Sequence, residues 1–109
     1  MNYELSFKRW IKEHYPTAEI FKIASVGKPD FCVIVKDAVK LVEVKGRQGG
    51  LKPTFALFRE AQKQFFKKHA CNVDLHVAFY GKDKVWKLYQ VVGNELIGYD
   101  FDFVEPHDF

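Results

Sequence analysis

Two runs rich in β-branched residues, Asp30-Phe31-Cys32-Val33-Ile34-Val35-Lys36 and Val39-Lys40-Leu41-Val42-Glu43-Val44-Lys45, are separated only by Asp37-Ala38. Such a stretch is expected to close on itself as a β-hairpin. With Lys36 opposite Val39, Lys45 falls opposite Asp30 and Glu43 opposite Cys32. Side chains alternate with period two, so Asp30, Glu43 and Lys45 share one face, the two acids standing as diagonal neighbours roughly 7–8 Å apart at Cβ. A slip of one residue would turn Asp30 to the opposite face. Phe31, Val33, Val35, Val42 and Val44 fill the other face, and Cys32, Ile34 and Leu41 add apolar surface to the acidic one. The strands therefore read as buried on both sides, where an unpartnered carboxylate is costly. An acid–base ladder on a solvated edge, the ordinary reason for such charges, fits that pattern less well.

Two carboxylates so close can share a hard cation such as Mg²⁺, which takes oxygen ligands and leaves positions for water and substrate phosphate oxygens. An ion there polarises a phosphodiester and lowers the pKa of a water, and Lys45 would hold the attacking water or the scissile phosphate. Gly27-Lys28-Pro29 ends the preceding strand, and the fixed φ of Pro29 sets the direction of Asp30 at a strand start.

Pro29-Asp30 followed by Glu43-Val44-Lys45-Gly46 resembles the signature of the PD-(D/E)xK nuclease superfamily, with the order of elements around it extending the likeness over roughly residues 3 to 80. Within the superfamily the chain is similar to the archaeal Holliday-junction resolvases and the small VRR-NUC nucleases. The resemblance implies an α/β fold with a restriction-endonuclease-like core, a central mixed sheet flanked by helices in the order αβββαβ, followed here by an extra C-terminal strand. It implies catalysis by Asp30, Glu43, Lys45 and Gln62, and metal ligation at Asp30, Glu43, Val44 and Glu4. The implied activity is Mg²⁺- or Mn²⁺-dependent endonucleolytic hydrolysis of DNA, including branched or junction DNA, by a homodimer. Glu4 also has the plain reading of an acid favoured in a first helical turn. Gln62, on the sheet side of its helix, needs a hydrogen-bond partner, for which a backbone carbonyl at the sheet edge serves as well as a metal-bound water, a phosphate or Lys45. A non-catalytic nucleic-acid-binding module of the same fold is the alternative; the intact Asp, Glu and Lys set argues against it. An assembly protein using its aromatic tail is a third reading.

A chain of 109 residues is expected to form one domain, and eleven phenylalanines supply its core with some to spare for an interface. Net charge is only +3, a mild bias toward polyanions that cannot by itself establish nucleic-acid binding. Its distribution says more. Lys36, Lys40, Lys45, Arg47 and Lys52 surround the motif and Arg59, Lys63, Lys67 and Lys68 follow it, whereas the chain after Asn94 is acidic. Lys28, Arg47, Lys52, Arg59 and Lys63 are the candidate DNA contacts. Residues 46–53 form a glycine-rich basic loop, read as mobile beside the motif. Cys32 and Cys71 lack metal-type pairing and read as reduced intracellular thiols. The histidines lack zinc-site spacing. With no signal peptide pattern and no apolar run long enough for a membrane span, a cytoplasmic protein is expected.

Helical spacing of Tyr3, Phe7, Trp10, Ile11 and His14 predicts a helix over about residues 3–14, ended by Pro16. Strands are expected over 19–25, 30–36, 39–45, 73–79 and 85–92. A second helix is expected from an N-cap at Thr54 to about His69, with Phe55, Phe58, Phe65 and Phe66 as its apolar stripe. The segment from Glu95 to Phe109 packs on a partner or covers the domain's own sheet edge.

Overall fold

The structure, a computed structural model, describes residues 2–47 and 50–99. Helix α1 spans Tyr3–His14, as the apolar spacing predicts, and Asn2 caps it by accepting the Leu5 amide at 3.0 Å. Strands follow at Glu19–Lys22 (β1), Phe31–Val35 (β2) and Ala38–Gly46 (β3), then helix α2 at Glu60–His69 and strands Leu75–Tyr80 (β4), Trp86–Val92 (β5) and Glu95–Tyr99 (β6). All six strands form one mixed sheet in chain order, β1-β2-β3-β4-β5-β6. Only β3 and β4 are parallel, and α2 lies in the crossover between them.

The helices cover opposite faces. Phe7 and Ile11 of α1 pack on Phe31, Val33, Val42, Val44, Ala78 and Leu88, while Phe58 and Phe66 pack with Leu75, Val77 and Val91 on the other side. This is the expected α/β arrangement with central strands buried on both faces. Every residue from Leu75 to Phe79 is buried, because β4 sits between β3 and β5 beneath both helices.

The hairpin closes one residue earlier than its sequence suggests. Lys36 and Asp37 form the turn, Lys36 at φ 50°, so Val35 faces Ala38 and Cys32 faces Leu41. The slip of two positions leaves every side chain on its expected face, since the pleat repeats every two residues. It moves Asp30 from opposite Lys45 to opposite Glu43, one step beyond the last paired residues, Phe31 and Val42. Lys36 thereby stands at the far end of the hairpin from the acids.

Three boundaries also move. Strand β1 ends at Lys22, where the chain turns through residues 25–28; Ile23 still donates to the Asp30 carbonyl at 2.8 Å. The second helix starts at Glu60, not after Thr54, whose side chain makes no capping bond. A single 3-10 turn, Phe55–Leu57, precedes extended Phe58 and Arg59, and seats the rings of Phe55 and Phe58 against Phe66. Glu95–Tyr99 pairs with β5 as an added edge strand; residues 100–109 of the acidic tail lie outside those described.

Lys40, grouped by sequence with the phosphate-facing cations, is instead buried beside Asp74. Its Nζ donates to Asp74 Oδ2 at 2.9 Å, and buried His76 meets Asp74 Oδ1 at 2.7 Å. Partial burial works against the charge on Asp74, but the bonds from His76 and Lys40 outweigh it and hold the carboxyl at about 2. This group stabilises the fold above the ordinary carboxylate range, and its contribution is lost as pH falls toward 2. Asp74→Ala is expected to cost about 2 kcal/mol at neutral pH. Denaturant titrations of both proteins between pH 7 and pH 2.5 would show that difference shrinking as the wild-type carboxyl is protonated.

Candidate active site

Strand β3 outruns β2. Beyond Val42 it continues through Glu43, Val44, Lys45 and Gly46 with β4 on one side and no β2 partner on the other. The amide of Val44 faces that open side, and Asp30 Oδ2 accepts it at 2.8 Å in place of a strand carbonyl. The N–H and C=O of one strand residue point the same way, so the Val44 carbonyl opens beside Asp30 as well. Asp30, Glu43 and Val44, brought together across the hairpin, thus converge where the two strands part.

Glu43 is only 2 % exposed, and its Oε2 has no hydrogen-bond partner among the described residues. Burial pushes its carboxyl up to about 9, helped by the adjoining Asp30 carboxyl and, more weakly, by Glu4; Lys45 opposes the rise. A buried acid with an orphaned oxygen against a second acid is a donor set that a divalent cation relieves. No group of three or more His, Cys, Asp and Glu side chains converges among the described residues. A cation here would therefore take its other ligands from the Val44 carbonyl and water.

Lys45 lies on the Glu43 face, its Nζ 5.3 Å from the centre of the Phe58 ring. That aromatic, read from sequence only as part of an apolar stripe, braces the lysine. Glu4 reaches the same end of the sheet from α1 and accepts from Lys22 Nζ, which also lies 3.7 Å from Asp30 Oδ1. Sequence reading missed Lys22: the pairing of β1 with β2 that sets it opposite Phe31 has no signature in composition. Gln62 has a different partner from those weighed for it. Its Oε1 accepts the Arg59 amide at 3.0 Å and caps α2.

The candidate DNA contacts divide. Arg47 is exposed just beyond β3, its amide bonded to the Tyr80 carbonyl at 2.9 Å, and Gly50 O accepts from Lys82 N at 2.7 Å; these bonds tie both flanks of the basic loop to the end of β4. Lys28 sits 5.1 Å from the centre of the Phe65 ring. Lys52 and Arg59 are exposed. Lys63, however, lines a shallow cleft of about 340 Å³ with Lys67, Phe55 and Asn94, on the flank of α2 that faces the β5–β6 turn. The opposite flank of α2 meets the Asp30 turn.

Two glycines set these approaches. Gly27, at φ 78°, lets the turn before Asp30 lie against α2, where an added Cβ would stand 2.9 Å from Ala61 Cβ. At Gly46 a Cβ would overlap the Tyr3 ring, so the first turn of α1, which carries Glu4, rests directly on the end of β3.

No protein-family model matches the sequence, nor does any curated protein. Among solved structures the chain is similar to Hjc, a Holliday junction resolvase from the archaeal hyperthermophile Archaeoglobus fulgidus, with a TM-score of 0.57 and 16% identity over 90% of this chain and 85% of that one. The fold is the restriction-endonuclease-like α/β fold expected for the chain, shared with that resolvase. In this fold Asp30 stands just before β2, β3 carries Glu43, Val44 and Lys45, α1 supplies Glu4, and the crossover helix α2 roofs the acidic face. Among the described residues no helix is long and apolar enough to cross a membrane.

Because Glu43 binds its proton more tightly folded than unfolded, its contribution is fully favourable below the ordinary carboxylate range and is lost as pH rises through about 9. Metal-free wild type is therefore expected to lose stability between pH 5 and 9, and Glu43→Gln to flatten that decline, raising the melting temperature at pH 9 by about 5 °C or more. Thermal melts with a chelator present would check this. Gly46→Ala is expected to cost about 1–3 kcal/mol by overpacking. If Tyr3 is the obstacle, Gly46→Ala combined with Tyr3→Ser will be less destabilised than the two single changes summed, a coupling that urea denaturation would measure.

Proposed function

We propose that this protein is a divalent-metal-dependent nuclease that hydrolyses phosphodiester bonds in DNA, with Asp30, Glu43, Val44 and Lys45 as its centre. The observation that carries the proposal is the pairing of Asp30 with a buried Glu43 carboxyl whose Oε2 has no hydrogen-bond partner among the described residues, at the open end of the hairpin. A purely structural acid would be matched by a donor; this one faces a second acid.

Asp30, Glu43 and the Val44 carbonyl would hold Mg²⁺ or Mn²⁺. When bound, the ion supplies charge neutralisation at a phosphate oxygen and a water acidified toward neutral pH. The chain's own groups do the rest. Asp30 keeps its orientation through the Val44 amide, so it presents Oδ1 without a rotamer search. Lys45, steadied over Phe58, directs its ammonium to a non-bridging phosphate oxygen or to the attacking water. Arg47, one residue past the strand, is positioned to meet the backbone on the same side, with Lys28 and Lys52 near the loops that frame the site. Lys63 on the far flank of α2 would contact DNA only if the duplex wraps the helix. Gln62 would act indirectly, by fixing the start of α2 above the acids.

The likeness to a Holliday junction resolvase supports branched DNA as the substrate class, and a homodimer would present two sites to two strands. Endonucleolytic cutting is the corresponding mode. These rest on fold and on the site together.

Cleavage of labelled single-stranded, duplex, flapped and four-way-junction DNA with Mg²⁺, Mn²⁺ or a chelator tests the proposal. Cutting is expected only with metal, reduced at least about a hundredfold by Asp30→Asn or Lys45→Ala. A protein that binds these DNAs and cuts none would instead be a binding module, and one that does neither would leave the acids as structure.

A further inference from the structure

Lys22 is the cation closest to the acids that the proposed chemistry leaves without a task. It ends the edge strand β1, directly opposite Phe31, over whose ring its Nζ lies 5.3 Å from the centre. From there the ammonium bridges two carboxylates on different elements, bonding to Glu4 Oε1 and lying 3.7 Å from Asp30 Oδ1. The oxygens of Asp30 are thus divided: Oδ2 belongs to the Val44 amide, and Oδ1, the one left for a ligand, faces Lys22.

We propose that Lys22 is a tethered competitor for the metal, a built-in monovalent cation that partly offsets the charge of Asp30 and Glu4 in the metal-free protein and must withdraw when a divalent ion enters. The proposal rests on the metal-dependent reading of Asp30 and Glu43. Its physics is simple. Lysine carries a compact charge on a flexible stem, and here the side chain is about half exposed, so it can swing into water at little cost. Exposed ion pairs of this kind are individually weak. An incoming dication carries twice the charge and prevails, but against the loss of the lysine contact and against repulsion from the ammonium if it stays near. Lys22 therefore sets the metal concentration at which the site fills, keeping the acids balanced at low metal without blocking them at high metal.

Metal affinity, read directly from the electron paramagnetic resonance signal of free Mn²⁺ in titrations of the full chain, tests this without recourse to cleavage. Lys22→Met is expected to tighten Mn²⁺ binding about five- to tenfold, and Lys22→Arg, which keeps the charge, to stay within about twofold of wild type. Asp30→Asn should weaken binding at least about a hundredfold in the wild-type and Lys22→Met backgrounds alike. If Asp30→Asn abolishes binding while Lys22→Met leaves it unchanged or weaker, the competitor role is overturned and the metal site stands. If Asp30→Asn leaves Mn²⁺ binding unaltered, the metal-dependent reading itself fails and the role of Lys22 falls with it. Lys22→Gln gives the same comparison should the methionine variant fold poorly.

Discussion

The amide of Val44 is the point on which the candidate site depends. It sits one residue past the end of the β2 ladder, where the strand has lost its partner but remains within the sheet. A buried amide needs an acceptor, and Asp30 supplies it with a carboxylate in place of a backbone carbonyl. That exchange introduces negative charge at the strand edge and fixes its direction. Alternation does the rest: with the Val44 side chain held in the cluster around Phe7, its neighbours Glu43 and Lys45 must project together to the opposite face. One hydrogen bond and the pleat thus assemble an acid pair and a lysine.

The arrangement is costly on its own terms. Glu43 is shielded from water beside another acid, and among the described residues Lys45 is the cation that favours its charged form. The fold tolerates this because the surrounding core is dense, with aromatic contacts such as Phe7 against Trp86 at 5.4 Å and Phe58 against Phe66 at 5.2 Å anchoring the two layers. Local destabilisation carried by a well-packed scaffold is a common condition of functional sites. It also explains why the glycines matter: Gly27 and Gly46 let α2 and α1 close on the hairpin from both sides, and without that closure the acids would be solvated.

Much of this was legible in the sequence, and the reasons differ by element. The period of Phe7 and Ile11 identified α1 with its observed ends, and the alternation of the hairpin valines assigned Asp30, Glu43 and Lys45 to one face. The same alternation was blind to a slip of two residues, since both registers bury the same valines; the choice depends on the Lys36 turn and on Asp30 meeting Val44. The start of α2 was misread because Phe55 and Phe58 continue the helical spacing while serving a 3-10 turn and an extended segment, and because the capping group, Gln62, lies inside the helix. Lys40 and Lys22 carry identical charge and similar surroundings in sequence. Only the sheet separates one buried beside Asp74 from one bridging two acids at an edge.

The strands stand in the sheet in the order in which they occur in the chain. Every pairing except β3 with β4 joins strands connected by a short turn or loop, so most of the sheet forms from nearby segments at low loop-closure cost. Asp30 and Glu43 meet when the β2–β3 turn closes, an event that needs no other part of the molecule. Their isolation from water does not come then. It requires β4 beside β3 and Phe58 above them, elements that arrive only through the single long connection. Assembly of the acid pair and its desolvation are therefore separate events in this topology: the hairpin is local and cheap to form, and the electrostatic burden falls on the one step with the greatest chain entropy to overcome.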